Sequence, residues 1–201
     1  MVNIEQVLIS SGIDLIAGVD EAGRGPCAGP LVVAAAILTN PLDAIWSEIQ
    51  DSKKLSESVR EKLFELITTE ALSYAIVEIS VEEIDGVGLH RSNLAGMRRA
   101  VLALDHTPDY VLSDGYPIPG LELPSLAVWK GDQVAVTIGA ASILAKVYRD
   151  RIMTALDADF PMYGLSKHKG YITAAHSKAL LKFGPSAVHR KSFSNIQALL
   201  Q

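Results

Sequence analysis

Four acidic residues stand out by where they fall: Asp20 and Glu21 in "GVDEAGRG", Asp114 in "YVLSDG" and Asp132 in "VWKGD". Each acid comes at or just after the end of an apolar run, and each has glycine close by. Adjacent carboxylates repel, so such a pattern needs a reason. If the three run-ends meet in space, two carboxylates about 5 Å apart at an effective dielectric near 20 repel by roughly 3 kcal/mol. Four carboxylates make several such pairs. Either protons stay on or cations neutralise the cluster, and two divalent ions match a charge of −4. That arithmetic points to two-metal phosphoryl chemistry, with ions about 3.5–4 Å apart clamping the attacking and leaving oxygens. Oxygen-only ligation favours Mg²⁺ or Mn²⁺, and the chain has no HExxH or CxxC spacing to argue for zinc. A lone Asp at a strand end more often caps a turn. Asp43, Asp51 and Asp105 are read that way.

The elements that must position these acids alternate between strand and helix patterns. "LIAGVD" and "LVVAAAIL" read as buried strands, separated by Gly29-Pro30. "SESVREKLFELITTEA" is a helix with Ser56 as N-cap. "SYAIVEIS" is a strand, "VEEIDGVG" a short helical turn and "HRSNLAGMRRAVLALD" a helix. "DYVLSDG" and "LAVWKGD" are further strands, and "TIGAASILAKVYRDRIMTALDADF" is a long helix. "YITAAHSKALLKFG" and "SNIQALL" close the chain as helices. The sum is a single α/β domain, residues 1–201, with a mixed sheet and a basic helical portion over about 161–201. In open α/β sheets, sites form at the carboxyl ends of strands, where these acids fall.

Composition limits the alternatives. Of the 201 residues, 49% are hydrophobic and 20% charged, which describes a globular rather than a disordered chain. No apolar run approaches the roughly 20 residues of a membrane span, and the N-terminus lacks a basic signal region. Cys27 is the single cysteine, so no internal disulfide forms, which fits a reducing cytoplasm. It reads as a small buried thiol, since no neighbouring His supports a nucleophile. Net charge is −5, yet residues 161–201 carry six Lys or Arg and no acid, leaving −11 on the rest. An acidic body with a basic end implies two surfaces with different tasks. Gly23-Arg24-Gly25 followed by Ala28 fits a dinucleotide fingerprint, with Asp43 about 20 residues on. That fingerprint must open a helix, whereas Gly29-Pro30 and a β-like run follow here, so the dinucleotide reading fails.

Several segments together carry a resemblance: "AGVDEAGRGPCAGPLVVAAAIL", "DSKKLS", "SDG", "KGD", "GAASILAKVYRDRIM", "YGLSKHKGYITAAHSKALLKFGP" and "HRKSF". In that order, from about residue 16 to residue 193, they resemble the type 2 ribonuclease H family, ribonuclease HII. Gly139 departs from the family's usual alanine, which in a helix interior costs up to about 1 kcal/mol.

The resemblance implies a ribonuclease H-like fold, a five-stranded mixed sheet flanked by helices with extra C-terminal helices. It implies cleavage of the RNA strand of RNA–DNA hybrids and 5′ of ribonucleotides embedded in duplex DNA, leaving 3′-hydroxyl and 5′-phosphate ends. Asp20, Glu21, Asp114 and Asp132 match the family's catalytic metal-binding acids, with two Mg²⁺ or Mn²⁺ ions in the substrate complex. Gly23, Arg24 and Gly25 match the motif that meets the ribonucleotide's 2′-hydroxyl, and Tyr171 the tyrosine that packs on the sugar beyond the cut. Lys53, Lys54, Lys167, His168, Lys169, Lys178, Lys182 and Arg190 are expected along the phosphate backbone. Lys146, Arg149 and Asp150 are read as structural ion partners. A cytoplasmic monomer without membrane contact is expected. The alternative is a nucleic-acid-binding module of the same fold that no longer cuts, and the complete acidic set argues against it.

Overall fold

The computed structural model describes residues 3–49 and 55–200. The apolar run Leu31–Leu38 forms β2, buried at every position, as a strand covered on both faces must be. β1 (Ile16–Ala22) and β3 (Ala71–Ile79) pair antiparallel on either side of it. β4 (Tyr110–Asp114) lies parallel beside β1, and β5 (Ser125–Val128) parallel beside β4. The order is β3-β2-β1-β4-β5, a mixed sheet of five strands among the described residues.

Three parallel neighbours therefore end at one edge. The register sets Val19 opposite Ser113, and Asp114 opposite Val128. The acid pair after Val19 thus lies level with Asp114. β1 runs farther than the sequence pattern indicates, because β2 goes on pairing with it at Asp20↔Ala34, Glu21↔Val33 and Ala22↔Val32. Both carboxylates are held within a hydrogen-bonded strand.

Helices cover both faces. α2 (Glu57–Glu70) starts at Ser56, whose hydroxyl accepts from the Val59 amide at 3.4 Å. With α5 (Val136–Asp159) it buries Val32, Ala34, Ala36, Leu63, Ile67 and Ile143 against one face. α3 (Val81–Val87) and α4 (Leu89–Leu102) close the other over Val19, Val33, Ala35, Ile79, Ile84 and Met97. α5 crosses β1 with no room to spare: a Cβ on Gly18 would lie 2.0 Å from the Thr137 carbonyl carbon. That crossing carries Ser142, Lys146 and Arg149, on one side of the helix at i, i+4 and i+7, past the end of β1. Gly139 is explained by Ile49, whose Cγ2 would stand 2.8 Å from an added Cβ.

The basic end forms α6 (Leu165–His168), α7 (Ala174–Phe183) and α8 (Ser194–Gln197). α7 begins later than its sequence pattern indicates, because Thr173 caps it by accepting from the His176 amide at 3.2 Å. Tyr171 is thereby left in the preceding loop. α1 (Ile4–Ser10) is an element the sequence patterns did not indicate. Asp43 accepts from the Ile45 amide as the cap of a 3₁₀ turn. At Asp105 no cap bond from the side chain is found among the described residues, and its backbone N–H donates to the Ser73 hydroxyl. Asp51, Lys53 and Lys54 lie outside the described residues. No helix among the described residues is long and apolar enough to cross a membrane.

Candidate active site and nucleic-acid interface

At the shared edge of β1 and β4, a cavity of about 410 Å³ is lined by Asp20, Glu21 and Asp114 together with Gly23, Arg24, Gly25 and Tyr171. Successive strand residues point to opposite faces. Asp20 accordingly turns toward α5, where Ser142 hydrogen-bonds it, and Glu21 toward α4, where Asn93 is its neighbour. Burial pushes the Asp20 carboxyl well above its ordinary pKa, and the neighbouring Glu21 and Asp114 charges push it further. Burial also raises Glu21, opposed by the Arg24 guanidinium 3.3 Å from its Oε1. Asp114 Oδ1 accepts the Gly131 amide at 2.7 Å. That bond ties Asp114 to the 3₁₀ turn Gly131–Gln133 that bears Asp132. Asp132 is buried there and is not part of the cavity wall.

Do these residues suit divalent cations? Among the described residues, no three acids stand close enough to make a finished metal cage. The donor chemistry does suit a hard cation. All the candidate ligands are oxygens, and Glu21 Oε2 is buried without a hydrogen-bond partner, which is costly unless something else occupies it. The three acids that line the cavity fit Mg²⁺ or Mn²⁺ in donor chemistry, and Asp132 sits on the adjoining turn.

Two loops form much of the remaining wall, and two buried arginines hold them together. Arg149 donates to Ala28 O at 3.0 Å, Pro30 O at 2.9 Å and Lys169 O at 3.0 Å. Arg190 donates to Gly29 O at 3.0 Å and Arg24 O at 3.4 Å. Between the same loops, the Cys27 amide donates to Gly170 O and the Arg190 amide to Cys27 O. Burial depresses both guanidiniums, Arg149 to about 10 and Arg190 to about 9, the latter also through the charge of Arg149. The loop bearing Gly23–Gly25 and the loop bearing Tyr171 thus form one clamp. Cys27 is fully buried and burial raises its thiol, which fits the small buried thiol read from the sequence. The fold nevertheless brings a histidine to it, His176 Nδ1 at 3.9 Å from Sγ, a neighbour 149 positions along the chain that the sequence reading lacked.

The basic residues divide. Arg190 is fully buried on carbonyls, so it is not on the phosphate-facing surface the sequence assigned it. His168 stacks on His176 at 4.3 Å, with one ring nitrogen at Tyr163 O and the other accepting from Gly170 N–H. Lys169 reaches Thr154 Oγ1 at 2.9 Å. Lys178 and Lys182 lie on α7, with Lys182 Nζ 4.8 Å from the Phe183 ring centre. Lys146 pairs with Asp150 at 2.7 Å, as read from the sequence. Arg149 instead binds backbone carbonyls. Sequence reasoning missed Arg60, Ser142 and Lys146 as cavity wall. For α5 the i, i+4, i+7 spacing of Ser142, Lys146 and Arg149 was available as a signal. For Arg60 nothing local was.

The family model described as Ribonuclease HII matches residues 17–196. A Ribonuclease HII of Nocardioides sp. is 54% identical over 193 residues, 96% of this chain and 80% of the relative. Ribonuclease H2 from Pyrococcus horikoshii OT3 superposes with a TM-score of 0.79 at 24% identity, over 92% of this chain and 96% of that one. The ribonuclease HII solved in complex with PCNA from Archaeoglobus fulgidus gives a TM-score of 0.77 at 27% identity, over 90% and 95%.

Proposed function

Because the chain belongs to the ribonuclease HII family and is therefore a ribonuclease H, a hydrolase acting as an endonuclease, we propose the following substrate and site. It cleaves the RNA strand of RNA–DNA hybrids, and it cuts duplex DNA 5′ of an embedded ribonucleotide, leaving 3′-hydroxyl and 5′-phosphate ends. The observation that carries this reading is the cavity that joins Asp20, Glu21 and Asp114 to the Gly23–Gly25 loop and Tyr171.

Asp20, Glu21, Asp114 and Asp132 are the residues that would hold Mg²⁺ or Mn²⁺. Two such ions, when bound, supply Lewis acidity for water attack and for the departing 3′ oxygen. The chain's own residues do the rest. Arg24 and the backbone of Gly23 and Gly25 face the ribose, where the 2′-hydroxyl separates RNA from DNA. Tyr171 packs on the sugar beyond the cut, with bulk where a second hydroxyl would stand. Arg60 and Lys146, on the cavity wall, draw in the phosphate. Lys167, Lys178 and Lys182 extend the basic track. The enzyme works in the cytoplasm as a monomer.

The test is an assay on duplex DNA carrying one ribonucleotide or none, with Mg²⁺, Mn²⁺ or chelator. Cutting confined to the ribonucleotide duplex and lost in chelator is expected. Asp114→Asn is expected to lower cleavage by at least about 1000-fold, the scale of a lost electrostatic catalytic group, while duplex binding stays near wild type. Normal cutting by that variant with Mg²⁺ removes Asp114 from the site.

A further inference from the structure

Beside the main cavity lies a second, of about 240 Å³, which shares Glu21, Arg24 and Asp114 with it and adds Gly115, Tyr116, Trp129 and Lys130. The chain has two tryptophans. Trp46 is 3% exposed, whereas Trp129 is 80% exposed, the highest among the exposed large hydrophobic side chains of the described residues. A solvated indole at the edge of a charged cleft is an unspent contact.

Its position is fixed. Trp129 follows Val128, which is in register with Asp114 across β4 and β5. The Gly115 amide donates to Val128 O at 2.9 Å, and the Gly131 amide to Asp114 Oδ1 at 2.7 Å. Lys130 between them is left-handed at φ 53, a conformation rare for lysine and held here by both bonds. On the other side of this cavity Arg24 lies over the Tyr116 ring at 4.7 Å. The turn therefore sets an aromatic face and a cation against the same acids that define the candidate active site.

We propose that Trp129, supported by Lys130 and Tyr116, is a second nucleic-acid contact, an aromatic wall for a sugar or base of the duplex next to the cut. The assignment rests on the nuclease reading above and adds to it a binding residue outside the acids, the Gly-Arg-Gly loop and Tyr171. Stacking of a base on an aromatic side chain is sequence-tolerant, which suits an enzyme that must cut at any ribonucleotide.

The test uses the full chain and a dye-labelled DNA duplex with one ribonucleotide, with Ca²⁺ in place of Mg²⁺ to withhold cutting. Dye anisotropy reads binding. The emission of wild type minus that of Trp129→Phe reads Trp129 alone. The expected result is a quench or shift of Trp129 emission with the same midpoint as the anisotropy. Trp129→Ala then binds roughly 5- to 100-fold more weakly, with Trp129→Phe in between. Since the side chain is solvated, neither variant is expected to lose the fold, and equal melting temperatures check that. Binding by anisotropy with unchanged Trp129 emission and an unchanged affinity for Trp129→Ala overturns the contact and leaves the nuclease reading standing. If the duplex does not bind wild-type protein with Ca²⁺, Mg²⁺ or chelator, both fall together.

Discussion

Gly23 and Gly25 flank Arg24 symmetrically in the sequence, yet their surroundings differ. Gly23 has φ +100, and a Cβ there would stand 2.1 Å from Arg149 Nε. The clamp of buried arginines therefore requires glycine at 23 whatever the substrate. At Gly25 an added Cβ would meet, among the described residues, only Tyr171 Cε1, at an ordinary 3.5 Å. The fold leaves that space open between the Gly23–Gly25 loop and Tyr171, the space proposed for the sugar. Gly25→Ala is accordingly expected to change stability by no more than about 0.5 kcal/mol, as a substitution free of clash does. It should slow cleavage at a single ribonucleotide at least tenfold. Urea unfolding and single-turnover cleavage measure the two, and a variant that cuts like wild type removes the substrate from that space.

α5 illustrates what an element needs beyond its own sequence. Its N-cap, Ala135, offers no side-chain acceptor. The missing acceptor comes from α1: Glu5, fully buried, takes the Thr137 amide and hydroxyl at 3.1 Å each on Oε1. A carboxylate at a helix N-terminus also meets the positive end of the helix dipole. Glu5→Ala is expected to cost about 1–3 kcal/mol, since it removes a cap and leaves a buried amide without a partner. Glu5→Gln, which keeps the Oε1 acceptor, should lose less. Chemical denaturation of the two variants checks the order, and equal losses would count against the cap. This contact spans 132 positions of chain, so the helix was legible and its cap was not. The same division runs through the molecule. β2, the body of α5 and the Ser56 cap follow from local pattern, because apolar spacing and a hydroxyl three residues before an amide are local facts. The extension of β1 through Glu21, the place of Arg60 and the diversion of Arg149 and Arg190 to carbonyls depend on partners far along the chain. The acids at 20, 21 and 114 were legible because parallel strands must end on one edge. Trp129 was not, since exposure has no sequence signature.

At the scale of the whole molecule, the basic end is docked on the loop after β1 and on α5, where Tyr163, Leu165, Leu180 and Ile196 pack with Cys27, Ala28 and Met153, and backbone carbonyls and three imidazoles supply its polar contacts. The Gly29 amide donates to Val188 O, Ala28 and His189 form an isolated bridge, and Asp85 takes the Lys191 and Ser192 amides. His189 Nδ1 accepts from the Ser186 amide, which leaves its Nε2–H to donate to His176 Nε2 at 3.1 Å. His176 Nδ1–H then donates to the carbonyl of Tyr171 at 3.0 Å. This chain needs both rings neutral. Burial depresses both, and the neighbouring His176 helps bring His189 down to about 4. A histidine whose folded pKa lies below its unfolded value of about 6.5 takes up its proton more readily when unfolded. Its contribution is therefore complete above about pH 6.5 and is lost as pH falls toward 4. For His189 that amounts to about 2 kcal/mol between roughly pH 7.5 and pH 5. The raised carboxyls of Asp20 and Glu21 act with the opposite sign, so a comparison isolates the histidine. His189→Gln keeps an Nε2 donor and does not titrate. It is expected to be less stable than wild type near pH 7.5 and to lose about 2 kcal/mol less stability on going to pH 5. If residues 161–201 and the sheet form the one domain read from the sequence, tryptophan emission and far-ultraviolet circular dichroism should report the same single transition at both pH values. Parallel pH curves for the two proteins would show that the imidazole pair does not couple protons to the docking of the basic end.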